Sequence, residues 1–167
     1  WSALDATALK NKIYEYTIPF GYELIAYDEE SFKKPTHRVK LREATDEEAY
    51  GSRIISENSV DKHGVGRYFP HAYANFVTRN DPVFFERNAI DGVIDQKGHG
   101  MYPHHSWAGG AREDIEYFID FGTEVEVEKV EFFLRADFVN DHDTWWKSID
   151  IEFDDGTIVP GQFEKPE

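Results

Sequence analysis

Between Ile115 and Phe153 apolar side chains recur at every second position. Ile115, Tyr117, Ile119 and Phe121 share one face, and Gly122-Thr123 interrupts them. Val125 and Val127 resume the alternation, which slips by one residue and continues through Val130, Phe132 and Leu134. Ile149, Ile151 and Phe153 alternate again before Asp154-Asp155-Gly156-Thr157. A period of two lines one side of an extended chain and does not fit a helix. The slip predicts a β-bulge, and the Asp-Asp-Gly-Thr stretch predicts a hairpin turn. Strands that alternate in this way are buried on one face only, which favours an antiparallel sandwich over a parallel α/β sheet. Ile119, Phe121, Val130, Phe132, Leu134, Ile149 and Ile151 are the expected core.

The rest of the chain reads less regularly. Residues 13–27, IYEYTIPFGYELIAY, suggest two strands broken at Pro19 and Gly21, followed by the polar run DEESFKKPTHR. Thr45-Asp46-Glu47-Glu48 has the form of a capping box, so a short helix is expected to start there. From Ser56 to Asn80, scattered Gly, Pro and His predict long loops with short strands. No run of ten or more residues has a helical pattern. Aromatic residues make up 16% of the 167, in keeping with strands. The expectation is one all-β domain over 1–167. Residues 1–55 would supply N-terminal strands and a short helix, and 56–167 the sandwich core.

Charge narrows the partners. The formal net charge is −15, and from Glu113 onward 17 acidic residues face 4 basic ones. Such a surface repels phosphate backbones and anionic lipid, so nucleic acid and membrane are not expected partners. Neutral ligands and cations fit, although acidity also serves solubility alone. The absence of cysteine rules out disulfides and thiolate chemistry. It suits a cytosolic protein and a secreted bacterial one equally.

Two stretches carry chemistry without regular periodicity: His99–Gly110, HGMYPHHSWAGG, and Arg135–Trp146, RADFVNDHDTWW. His99, His104 and His105 are possible zinc ligands, but adjacent residues of an extended chain point opposite ways. Hydrogen bonds to loop backbone are the simpler expectation for them. Asp137, Asp141, His142 and Asp143 fall within seven residues beside Arg135, a grouping open to acid–base catalysis or to plain loop pairing. Asp141 and Asp143 have the spacing of an EF-hand start but lack its glycine and closing glutamate. No nucleophile-elbow motif is present.

Asn88-Ala89-Ile90-Asp91-Gly92, Ser106-Trp107, Asp120-Phe121-Gly122 and the run VEKVEFFLR, in this order and spacing, resemble the discoidin-like (factor V/VIII C-type) domains of the galactose-binding-like fold. Many bacterial carbohydrate-binding modules are of this kind. The likeness covers about residues 56–155, with Ser56–Asp61 resembling the start of such a domain. His105 stands where the family pattern has threonine. The resemblance implies a jelly-roll β-sandwich, ligand binding by loops at one end and a structural Ca²⁺ near the Asp-Gly turn. Asp91 and Asp95 would hold that ion together with loop carbonyls. A bare Asx-turn at Asp91 is the alternative. The family closes with a further strand after the region like IDIEFDDG. Here that strand would come from the first 50 residues, or the sequence is a fragment.

The aromatic residues of the two loops point the same way. Sugars offer flat C–H faces to Trp and Tyr, and hydroxyls to Asp, Arg and His. The expected contacts are Tyr102, His104, His105, Arg135, Asp137, Trp145 and Trp146, with Trp107 as a core plug. Of the neighbours Trp145 and Trp146, one would be core and the other exposed. The leading expectation is a non-catalytic module that binds a neutral glycan, with carbohydrate and other domains of a larger glycan-active protein as partners. A glycan-active hydrolase or lyase using Asp137, Asp141 and His142 comes second, and a structural accessory domain third.

Overall fold

The computed structural model describes residues 3–4, 16–36, 45, 51, 53–95, 98–135 and 146–164. The chain divides into two compact units, Trp1–Glu128 and Lys129–Glu167. The described residues form short strands in small antiparallel sheets, with little helix, in agreement with the all-β expectation. No helix among them is long and apolar enough to cross a membrane.

In the first unit β1 (Ala3–Leu4) pairs with β2 (Tyr68–Phe69), and β3 (His71–Ala74) pairs with β4 (Tyr117–Asp120). Among the described residues four short 3₁₀ helices make up the remaining regular structure: η1 (Gly21–Ala26), η2 (Thr78–Asn80), η3 (Pro82–Phe84) and η4 (Glu86–Ala89). The start of η3 is written in its residues. Asp81 accepts the Val83 N–H at 3.2 Å, and Pro82 occupies the first turn, where its missing N–H costs nothing. Val83, Phe84, Phe85 and Ile90 are buried together with Ala26, Tyr27, Tyr68 and Ala72. This core is made mainly of turns and loops.

In the second unit β5 (Ser148–Glu152) pairs with β6 (Ile158–Gln162), and Ile151 lies opposite Val159. Gly156, with φ of +84°, turns the chain between them as the Asp-Asp-Gly-Thr stretch requires.

Several expectations are corrected. Residues 13–27 do not give two strands where they are described: Gly21 turns the chain with φ of +65°, and Gly21–Ala26 coil into η1. Phe20 is 83% exposed, so its apolar character does not mark a buried face. Ile119, Phe121, Ile149 and Ile151 are only half-buried, and Val130, Phe132 and Leu134 are exposed. The physical reason is pairing. Residues 124–135 join no sheet among the described residues, so neither the long strand nor its bulge forms, and β5–β6 is a two-stranded hairpin. The short strands and long loops expected from Ser56 to Asn80 are present as β2 and β3. Of the expected capping box, Asp46–Glu48 lie outside the described residues.

Candidate functional site

The run DPVFFERNAID places charged residues inside an apolar stretch. Wrapped into η3 and η4, it buries both kinds: Glu86, Arg87, Asn88 and Asp91 are as enclosed as Phe84 and Phe85. Buried charges need partners, and here they have them.

Arg87, 1% exposed, is the hub. Its Nε donates to the Asp61 carbonyl at 2.8 Å. The two terminal nitrogens reach the Ala26 carbonyl at 2.7 Å, Asn88 Oδ1 at 3.1 Å and the Ser59 carbonyl at 2.9 Å. Its guanidinium lies over the Tyr27 ring, 4.3 Å from the centroid. One side chain thereby ties two separated segments, the end of η1 and the turn at Ser59–Asp61, to η4. The Tyr27 hydroxyl donates to the same Asp61 carbonyl, and burial pushes its phenol up to about 12.

Three histidine–carboxylate pairs surround this hub. Asp61 and His71 are both fully buried; Asp61 Oδ1 meets His71 Nδ1 at 2.6 Å, and Oδ2 accepts the Ala72 N–H at 3.0 Å. Glu86 holds His63 Nδ1 at 2.8 Å, and the His63 ring stacks on Phe85 with centroids 3.9 Å apart. The Glu86 hydrogen bond raises the His63 pKa above its usual value, against the opposing effect of burial. Asp91 Oδ2 contacts His105 Nε2, with the Arg87 guanidinium 3.8 Å away. Asp91 Oδ1 accepts the Val93 N–H at 2.9 Å, closing the Asx-turn before Gly92.

His105 in turn backs Tyr102: the rings stack with centroids 5.2 Å apart and planes 25° from parallel. The loop carrying them is pinned by backbone bonds, Tyr102 N–H to the Ile25 carbonyl and Ser106 N–H to the Val83 carbonyl. Beside Tyr102 lies a cavity of about 180 Å³. Tyr27, Phe32 and Tyr102 give it aromatic walls; Asp28, Ser31 and Ser59 give it polar groups; Arg87 and Asp91 also line it. A space of that size is smaller than the roughly 300–1,000 Å³ of drug-sized sites.

Of the sequence-predicted residues, Tyr102, His105 and Asp91 come together here. His104 is half-buried, and its Nδ1 is enclosed without a hydrogen-bond partner among the described residues, as are Nδ1 of His105 and Nε2 of His71. Asp95 is exposed. Trp107, expected as a core plug, is half-buried; it packs on Tyr117 at 4.6 Å and donates to the Phe76 carbonyl. Arg135 and Trp146 belong to the second unit. Asp137, Asp141, His142, Asp143 and Trp145 lie outside the described residues. Sequence reasoning missed Asp61, His63, His71, Glu86 and Arg87. Glu86 and Arg87 carried a readable signal, as charges directly after Val83-Phe84-Phe85.

Asp91, the Ca²⁺ ligand that the resemblance implies, has both side-chain oxygens in hydrogen bonds in this arrangement. Oδ1 accepts from Val93 and Oδ2 from His105, and the Arg87 guanidinium lies 3.8 Å from Oδ2. Among the described residues no group of three His, Cys, Asp or Glu side chains is placed to hold a metal. Comparison of the chain with protein-family models, with curated proteins and with solved structures finds no match.

Proposed function

We propose that the chain is a non-catalytic carbohydrate-binding module on a jelly-roll β-sandwich, and that one residue of a neutral glycan enters the cavity beside Tyr102. The observation that carries this reading is the lining itself, which combines the aromatic residues Tyr27, Phe32 and Tyr102 with the polar residues Asp28, Ser31 and Ser59. A pyranose has the matching surface, an apolar C–H face bordered by hydroxyls. Tyr102 is held for this role by His105, which Asp91 anchors in the buried cluster. The acidic chain favours neutral sugars over sulfated or uronic ones, because like charges cost affinity.

A screen of neutral and acidic glycans, followed by calorimetric titration of the strongest neutral hit, tests the reading. Tyr102→Ala is expected to weaken that binding by about 1–3 kcal/mol, the usual worth of one aromatic stacking contact. Binding of acidic glycans alone, or of none, would sink the proposal.

A further inference from the structure

Phe32 combines an unusual backbone conformation with a place in the lining of the cavity. Its backbone φ is +63°, in the left-handed region, where a bulky aromatic residue is an outlier. It also lines the cavity while remaining only half-buried.

The turn before it accounts for the conformation. Ser31 N–H donates to the Asp28 carbonyl at 2.8 Å, and Glu30 N–H to Asp28 Oδ1 at 2.8 Å. The chain folds back on itself there, and the next residue takes a positive φ. Glycine or asparagine meets that demand at little cost. The sequence has phenylalanine. Left-handed conformations of non-glycine residues persist where the surroundings hold them, and they gather at ligand clamps and functional sites. The surroundings here are aromatic: the Phe32 ring stacks on Tyr16 with centroids 5.9 Å apart, and meets Tyr27 at 5.5 Å and 75°. Tyr27 is itself fixed by its hydrogen bond to Asp61 and by the Arg87 guanidinium over its ring. Phe32 is thus braced against Tyr16 and the buried Tyr27 at the edge of a small cavity.

We propose that Phe32 is a ligand-stacking residue of this cavity, its ring taking the C–H face of a neutral pyranose, and that its strained backbone is the cost of placing the ring there. The inference rests on the cavity being the sugar site.

Stability and binding then separate on substitution. Phe32→Asn suits the left-handed backbone and removes the ring. A ring needed for packing would take several degrees of melting temperature with it. A ring needed for ligand would leave the melting temperature unchanged or raise it, while affinity falls on the order of tenfold or more. The probe is a panel of methyl pyranosides of neutral hexoses, titrated into the whole chain and followed by NMR, with thermal melts of each variant alongside. The expected result is binding by the wild type, a loss of that order in Phe32→Asn at equal or higher melting temperature, and retention within about threefold in Phe32→Tyr, which keeps a stacking face. Equal binding by wild type and Phe32→Asn would overturn the inference and leave the cavity reading standing. Lost binding with a lowered melting temperature in Phe32→Asn, or lost binding in Phe32→Tyr at an unchanged one, would also overturn it. Binding of no pyranoside by the wild type would overturn the cavity reading and the inference with it.

Discussion

The second unit has the longest strands described, β5 and β6 at five residues each, yet none of its described residues is buried. The described strands of the first unit have two to four residues, yet this unit encloses Asp61, His71 and Arg87 almost completely. Regular backbone pairing and a core are separate achievements. A two-stranded hairpin satisfies its ladder without covering either face. Loops and 3₁₀ turns can be fixed instead by side chains that bond to backbone carbonyls, as Arg87 does to Asp61, Ala26 and Ser59. Loops positioned on such a frame are where binding residues gather.

The comparison breaks most readily at Asp61. Asp61→Ala leaves His71 Nδ1 and the Ala72 N–H unpartnered in the interior. Removing one member of a buried pair costs about 3–5 kcal/mol, so denaturant unfolding should show a loss of that size. Phe132→Ser in the second unit, where the side chain is 44% exposed, should change stability by no more than about 0.5 kcal/mol. Similar losses in both variants would remove the distinction between the two units.

A smaller effect is expected at His63, at the rim of the cluster. Its pKa is raised in the folded state, chiefly by the Glu86 hydrogen bond. The folded protein therefore holds the proton more tightly than the unfolded chain. The stabilisation is fully present below the unfolded value of about 6.5, and it is lost as pH rises through the higher folded value. The stability difference between wild type and His63→Gln should be largest near pH 5.5 and shrink towards pH 8, as followed by urea unfolding at each pH. A difference that grows with pH would contradict the assignment.

The smallest expected effect is that of chelation. With both Asp91 oxygens engaged by Val93 and His105, EDTA should leave the melting temperature unchanged. A drop of several degrees, restored by Ca²⁺, would show that a cation is bound and that Asp91 rearranges around it.

How far these features were legible depends on where the information resides. The turn at Gly156 and the pairing of β5 with β6 follow from local residue type and period two, and both could be read. The burial of Val130, Phe132 and Leu134 could not, because alternation reports an amphipathic strand and not whether another layer covers it. Tyr102 and Asp91 were singled out by residue type and by resemblance, for a sugar contact and a Ca²⁺ ligand respectively. The cluster behind them was not, since Asp61, His71 and Arg87 are brought together by tertiary contacts spanning 10 and 26 residues. Nothing in a single sequence fixes such distances. The expected sugar contacts Arg135 and Trp146 were read from aromatic and polar residues gathered in a stretch that flanks strands, a pattern that does not by itself say which loop faces a ligand.

The most direct test is a residue-by-residue NMR titration of the whole chain with neutral methyl pyranosides. The cavity account predicts concerted shifts at Asp28, Ser31, Ser59 and Tyr102, with little change at Arg135 and Trp146. Shifts at Arg135 and Trp146 with none around Tyr102 would contradict it and place the sugar in the second unit.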